Sequence, residues 1–231
     1  NNSSVLTVTS TVTGVHNISY MCVGITIADI ISHRKSQPSL WTQQVINIPI
    51  TLQPGRHTLF TTWSGDIIID STYNASPMSM KTILKEAQEL QGSFFHDYII
   101  IAVLWEMREL WDISQKEHKE LWEWLSKSTI NYVIWVSGDS VYMTDYLIGL
   151  QDPNKHINWV SSNLEVPSML SQLLQTIKQE NPLQKCIIVF KSSQGEIYLE
   201  ESIKPYILPE QWSMLPRQEW FWISKKNEKK K

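Results

Sequence analysis

Two polar turns in this 231-residue chain carry residue types able to hold an anion or a reacting carbonyl. The first is Asp70-Ser71-Thr72-Tyr73-Asn74-Ala75-Ser76-Pro77, and the second is Lys191-Ser192-Ser193-Gln194-Gly195. Each follows an apolar run that reads as a strand, Ile67-Ile68-Ile69 before the first and Lys185 to Phe190 before the second. In an open parallel sheet, ligands bind beyond the C-terminal strand ends, where turns and helix N-termini present unpaired N–H groups. Hydroxyls, an amide and an ammonium group gathered there could fix a carboxylate and a charged intermediate. Each turn also has a plainer reading as a polar strand-to-helix connection, with Asp70 capping its own turn and Arg56 paired to a surface carboxylate.

The elements that must position these turns follow from the pattern. From Thr51 onward, short apolar runs alternate with longer amphipathic ones, which predicts a mostly parallel, Rossmann-like α/β sheet flanked by helices. Strands are expected at Ile67 to Asp70, Tyr98 to Leu104, Tyr132 to Val136, His156 to Val160 and Lys185 to Phe190. Ser76-Pro77 supplies an N-cap and a proline at the first helical position, opening a helix to about Leu90 with Gly92 as its stop. Ser114-Gln115-Lys116-Glu117 reads as a capping box opening a helix to about Ser126. A short helix capped by Asp139-Ser140, a helix over Pro167 to Gln179 and a last one over roughly Glu196 to Tyr206 complete the series. Gly14 to Ile31 is one apolar helical stretch. Pro49, Pro54 and Gly55 punctuate the connector after it, so residues 1–50 are expected to close a preceding domain, 51–215 to form the α/β domain, and 216–231 to be a basic tail.

Composition narrows the function classes. Twenty Lys and Arg against 23 Asp and Glu leave a formal charge of −3, which gives a polyanion such as nucleic acid no reason to bind. The basic run Lys225 to Lys231 is expected to be a solvated, disordered tail. Two cysteines, Cys22 and Cys186, are too few for a disulfide scaffold and sit in apolar surroundings, so inert thiols in a reducing cytoplasm are expected. No stretch reaches the roughly 18 uninterrupted apolar residues of a membrane span, and Asn1-Asn2-Ser3-Ser4 has no basic region leading into an apolar one. The histidines form no metal-ligand spacing with cysteines or carboxylates, so no metal site is expected within the chain. His118, after Glu117, is expected to pack rather than to catalyse.

The run Ile69 to Met80, with its Asp-Ser-Thr-Tyr-Asn-Ala-Ser-Pro-Met-Ser-Met order, resembles the signature turn of the D-alanyl-D-alanine-adding members of the Mur ligase family. Four further stretches resemble the same enzymes in the same order: Gly14-Val15-His16-Asn17, Pro54-Gly55-Arg56, Ala102 through Trp111, and Lys191-Ser192-Ser193-Gln194. Ser114, Glu117 and His118 fall where the family has Ser…Glu…His. The resemblance spans about residues 13 to 208.

It implies the C-terminal part of an ATP-dependent ligase. In that family ATP phosphorylates the carboxylate ending a UDP-MurNAc-tripeptide, and the amine of D-Ala-D-Ala attacks the acyl phosphate. ATP and Mg2+ are held mainly by a central domain with a Gly-rich phosphate loop and a carbamylated lysine. No Gly-x-x-x-x-Gly-Lys-(Ser/Thr) run exists here, so this chain alone is expected not to hydrolyse ATP and to hold no catalytic residue of its own. Carried over by position, Arg56, Asp70 and Asn17 would face the nucleotide, although Tyr20 stands where an Asn is usual. Tyr73, Asn74, Lys191 and Ser193 would bind the dipeptide and acyl phosphate. A cytoplasmic monomer working without nucleic acid or membrane is the implied setting.

Competing readings are another Mur-superfamily amide ligase, such as a folyl-polyglutamate or amino-acid-adding type; a Gly-Asp-Ser hydrolase built on Ser137-Gly138-Asp139-Ser140; and a non-catalytic binding module. The Tyr-Asn-Ala-Ser-Pro run speaks against the first. The absence of a downstream Asp-x-x-His pair speaks against the second.

The departures from the family are patterned. Trp105, Trp111 and Trp122 stand where the resemblance has glycine, and the chain holds 11 Trp but only 8 Gly. Average usage would give about 16 glycines. One cause would cover all three: UGA codons meaning glycine but read as tryptophan, with Trp63, Trp135 and Trp220 as further candidates. Trp105, Trp111 and Trp122 are expected to be more exposed or less well packed than Trp222. Ser192 also replaces a usual glycine, but that codon does not explain it.

Overall fold

The computed structural model describes residues 7–9, 15–40, 45–47, 53–136, 155–194 and 197–229. They divide into two units, Asn1–Leu52 and Gln53–Lys231. In the first, strands β1 (Thr7–Thr9) and β2 (Val45–Asn47) pair in parallel, and helix α1 runs over Val15–Arg34. The Asp29 carboxylate of α1 accepts from the Ser39 hydroxyl at 2.8 Å and the Leu40 amide at 2.6 Å, tying down the chain that leaves the helix.

The second unit is a six-stranded α/β sheet. Its strands are β3 (Thr58–Thr61), β4 (Ile67–Ser71), β5 (Ile99–Trp105), β6 (Tyr132–Val136), β7 (His156–Val160) and β8 (Cys186–Lys191), in the order β3-β4-β8-β5-β6-β7. Only β3 is antiparallel to its neighbour. Helices α2 (Pro77–Ser93), α3 (Ser114–Ser126) and α4 (Val166–Glu180) cover the two faces. The central strands are continuous apolar runs because both faces are buried, as parallel sheets require. Alternate residues divide between two cores: Ile68, Ile101, Val103, Ile134 and Ile188 pack with Leu170, Leu173 and Ile177 of α4. Ile69, Ile100, Ala102, Leu104 and Val189 pack with Met80, Ile83 and Ala87 of α2 and Leu121 and Leu125 of α3.

The start of α2 forms as the sequence dictates. Ser76 is the N-cap in extended backbone, its hydroxyl accepts from the Ser79 amide, the Ser79 hydroxyl accepts from the Ser76 amide, and Pro77 occupies the first turn. Elsewhere the elements depart from the expected ones. Gly92 does not stop α2, which continues to Ser93. Ser114 forms no capping box: a 3₁₀ turn over Trp111–Ile113 precedes it, and its hydroxyl lies 3.3 Å from His118 Nδ1 instead. The expected last helix is broken into 3₁₀ turns at Leu199–Ser202 and Lys204–Tyr206, since Pro205 cannot supply the amide a continuing α-helix needs. The basic tail is a helix, α5 (Trp220–Lys229), whose Lys226 is buried. Asp139-Ser140 and the Gly-Asp-Ser run lie outside the described residues. Cys186 is buried, which pushes its thiol up to about 12 and leaves it unreactive; Cys22 is exposed on α1.

The tryptophans divide. Trp105 and Trp122 are buried at 3% and 1% exposure, and Trp122 packs 5.4 Å from the equally buried Trp135, so the expectation of poor packing fails at these positions. Trp222 packs edge-on against Tyr198, with no deeper burial than theirs. Trp111 behaves as expected of a glycine position: it is 87% exposed and holds φ of +49°, left-handed backbone that costs an L residue roughly 1–2 kcal/mol. Trp111→Gly is therefore expected to raise stability by about 0.5–1 kcal/mol, after subtracting the greater unfolded-state freedom of glycine. A urea midpoint that falls on this substitution would show that the indole is held by contacts stronger than the backbone strain.

Candidate functional site

The sheet register brings both polar turns to one edge. Strands β4, β8 and β5 run side by side in parallel, with Ser71 opposite Lys191 and Lys191 opposite Leu104, so the chain leaves all three at the same level. Tyr73 and Asn74 follow β4, Ser193 follows β8, and Arg108 follows β5.

Lys191 sits at the centre. It is 4% exposed, and its ammonium donates to Ser71 Oγ at 3.1 Å and to the Asn74 carbonyl at 2.7 Å, which ties the two turns together. Burial pulls it down to about 8; the Arg56 guanidinium adds to that fall, and Asp70 opposes it. Ser192 is also buried, and its hydroxyl donates to the Thr72 carbonyl at 2.9 Å, a second tie between the same turns. The Ser193 hydroxyl accepts from the Arg108 amide at 3.3 Å, joining the β8 turn to the β5 turn.

Asn74 is exposed, with its side-chain oxygen accepting from the Ala75 amide at 2.8 Å. Tyr73 is half-buried beneath Arg56, whose guanidinium stacks 4.5 Å from the ring centroid. Arg56 Nε also donates to Gln53 at 3.1 Å, so its planar group is aimed before any ligand arrives.

Asp70 differs from the position carried over for it. It is fully buried, and its Oδ1 accepts from the Thr72 amide at 3.0 Å and the Thr72 hydroxyl at 2.7 Å. Oδ2 is buried with no hydrogen-bond partner. Burial pushes the carboxyl up to about 7, with the Thr72 hydrogen bonds opposing the rise. In this arrangement Asp70 braces its own turn through Thr72. The side chain of Asn17 lies outside the described residues.

His118 is a structural group, as expected. It is buried; Nδ1 lies 2.8 Å from the Ser114 carbonyl and Nε2 accepts from the Met107 amide at 2.9 Å, which fixes the neutral tautomer with its proton on Nδ1. It thereby anchors the turn after β5. Beside that turn, Arg108, Glu109, Trp111 and Gln194 line an open cleft of about 420 Å³, adjoining Ser193.

Sequence reading missed a second group of charges under the first turn. Glu200, fully buried, accepts from Arg217 Nε at 3.0 Å and Nη2 at 2.7 Å, and Lys226 of α5 lies 2.9 Å away. Lys226 also reaches Glu201 at 2.7 Å. The available signal was two acidic residues set among Ile197, Tyr198, Leu199 and Ile203, where buried carboxylates need cations from elsewhere in the chain.

The arrangement offers hydroxyls, an amide and two cationic groups on a preformed edge, suited to orienting a small carboxylate-bearing ligand. It does not fit a triphosphate or Mg2+. The described residues hold no group of three His, Cys, Asp or Glu side chains able to bind a metal, and no phosphate loop is present in the sequence.

No family model matches the chain. The UDP-N-acetylmuramoyl-tripeptide--D-alanyl-D-alanine ligase of Bacillus subtilis (strain 168) is 30% identical over 152 residues, 66% of this chain and 30% of that protein. Two crystal structures of MurF from Acinetobacter baumannii share the fold, with TM-scores of 0.54 and 0.55 at 21% and 22% identity, covering 67% of this chain and 30% and 31% of theirs. This chain thus spans about 30% of the length of the relatives it matches. With the Tyr-Asn-Ala-Ser-Pro turn in place at the end of β4 and the parallel sheet around it, the chain is similar, over 66% of its residues, to the MurF-type ligases of the Mur ligase family.

Proposed function

We propose that this chain is the C-terminal part of an ATP-dependent ligase that joins D-Ala-D-Ala to a UDP-MurNAc-tripeptide through an acyl phosphate, serving peptidoglycan precursor synthesis in the cytoplasm. The observation that carries this reading is the junction of the Tyr73-Asn74 turn with Lys191 and Ser193 on one sheet edge. A dipeptide carboxylate placed there would meet the Lys191 ammonium through a short shift of its hydrogen bonds, with the Asn74 amide and Ser193 hydroxyl to either side. Arg56, stacked on Tyr73 and exposed above it, is the group of this chain best placed to meet a nucleotide phosphate. ATP and Mg2+ themselves are assigned to a central domain, because the sequence carries no phosphate loop and the described residues hold no metal-binding cluster. The chain's contribution is therefore to bind and orient the amine-bearing substrate.

Titration of the isotope-labelled chain with D-Ala-D-Ala tests this by amide chemical shifts. Signals of Tyr73, Asn74 and Ser193 are expected to move, and L-Ala-L-Ala is expected to move them far less. Lys191→Met should weaken the dipeptide response by at least tenfold, about 1.4 kcal/mol. Shifts scattered over the surface, or equal responses to both stereoisomers, would remove the dipeptide assignment.

A further inference from the structure

We propose that Arg217 is a positioning residue for this site: aimed by Glu200, its guanidinium sets the Thr72-Tyr73-Asn74 turn from the opposite end of the chain. The inference rests on the reading of that turn as the dipeptide-orienting wall, and it gives residues 216–229 a part in that function.

Three observations converge. Arg217 is 6% exposed, and after its two bonds to Glu200 its remaining donors reach two consecutive carbonyls of the turn, Thr72 at 2.9 Å and Tyr73 at 3.5 Å. A salt bridge serving stability alone has no need of that geometry; here the carboxylate fixes one edge of the planar fork so that the other edge meets the turn. Next, the backbone is shaped for the purpose. Arg217 holds φ of +57°, and Pro216 before it packs so closely on Gly55 that a Cβ there would meet Pro216 Cγ at 2.7 Å and the Tyr73 nitrogen at 3.1 Å. Gly55 is the residue whose carbonyl accepts from the Tyr73 amide at 3.1 Å, so Pro216 and Arg217 clasp both strands of this junction. Finally, the anchor is built from the far end of the chain: Lys226 in α5 supplies Glu200 with a second cation.

Thr72 carries the consequence. Its carbonyl accepts from both Ser192 Oγ and Arg217 Nη2, so the β8 turn and the C-terminal segment fix one peptide group from two sides. Tyr73 then lies between two guanidinium groups, Arg56 at 4.5 Å and Arg217 at 6.0 Å from its ring centroid. Loss of Arg217 leaves the Thr72 carbonyl held from the Ser192 side alone, removes the Arg217 donor from the Tyr73 carbonyl, and lets the ring and the following Asn74 move.

Amide hydrogen exchange on the full chain, comparing wild type with Arg217→Met and Arg217→Lys, reads this directly. In Arg217→Met the amides of Thr72 and Tyr73 are expected to exchange at least tenfold faster, while those of β5 and β8 stay within twofold. Arg217→Lys, which keeps the charge for Glu200 but not the fork, should fall between and remains informative if the Met variant does not fold. Equal acceleration across β5 and β8, or no change at Tyr73, overturns the proposal, because either result makes Arg217 a general stabiliser. A parallel D-Ala-D-Ala titration separates the two readings. A wild-type chain that shows no response at Tyr73 and Asn74 sinks the dipeptide assignment, whereas local exchange with a tenfold weaker dipeptide response in Arg217→Met upholds both.

Discussion

Glu200→Gln is expected to destabilise the C-terminal unit by about 3–5 kcal/mol, the usual cost of leaving a buried partner charge uncompensated. The Glu200 side chain is wholly buried, and the Arg217 and Lys226 side chains it serves are 4% and 5% exposed. Lys226 keeps Glu201 at 2.7 Å after the change, but Arg217 keeps only the two turn carbonyls and a neutral amide. Burial works against the Arg217 charge, and in the native chain Glu200 outweighs it. The chain cannot neutralise Arg217 by shedding its proton, so the penalty falls on folding. Urea denaturation at neutral pH measures it. Lys204→Met is the control: its pair with Glu201 is more open, with Lys204 22% exposed, and its removal should cost less than about 1 kcal/mol. A loss below 1 kcal/mol for Glu200→Gln would mean that water or a rearranged side chain replaces the carboxylate.

Asp70→Asn should make the chain more stable at pH 8 by about 2–4 kcal/mol while changing little at pH 4. The folded carboxyl titrates near 7, against 3.8 when free, because burial disfavours its charged form. Between those values the unfolded chain releases the Asp70 proton and the folded chain retains it. The contribution of Asp70 to stability is thus fully present below about pH 4 and lost as pH rises through about 7. The asparagine oxygen can keep both Thr72 hydrogen bonds and never ionises. Lys191, which Asp70 helps to hold charged, gives back part of the gain, and this sets the lower end of the range. Denaturation midpoints of both proteins from pH 4 to pH 9 check the sign. Parallel pH profiles for wild type and variant would show that Asp70 ionises freely in the fold.

Much of this follows from residues read in order. The α/β alternation, the strands at Ile67, Ile99, Tyr132, His156 and Cys186, and the cap of α2 at Ser76 are local consequences of apolar period and turn chemistry, and the structure forms them at those places. So are the identities of the turn residues Tyr73, Asn74, Lys191 and Ser193, since the sequence alone marks where polar groups follow a buried strand. Strand order was not legible. That β8, far along the chain, inserts between β4 and β5 depends on which apolar faces pack together, and this insertion puts Lys191 within 2.7 Å of Asn74.

Burial was likewise decided in three dimensions. Asp70 looks like an accessible ligand group in the sequence, yet in the fold it is fully buried and its carboxyl holds its own turn through Thr72. Trp105 and Trp122 stand at positions that resemblance gives to glycine, but the cores of both sheet faces accommodate them; only Trp111, left-handed and exposed, keeps the geometry of a missing glycine. The C-terminal lysines read as a solvated tail because net charge says nothing about partners more than twenty residues away. Glu200 and Glu201 draw Lys226 inward, and a buried carboxylate specifies its cation by position in space, which no local window of sequence contains.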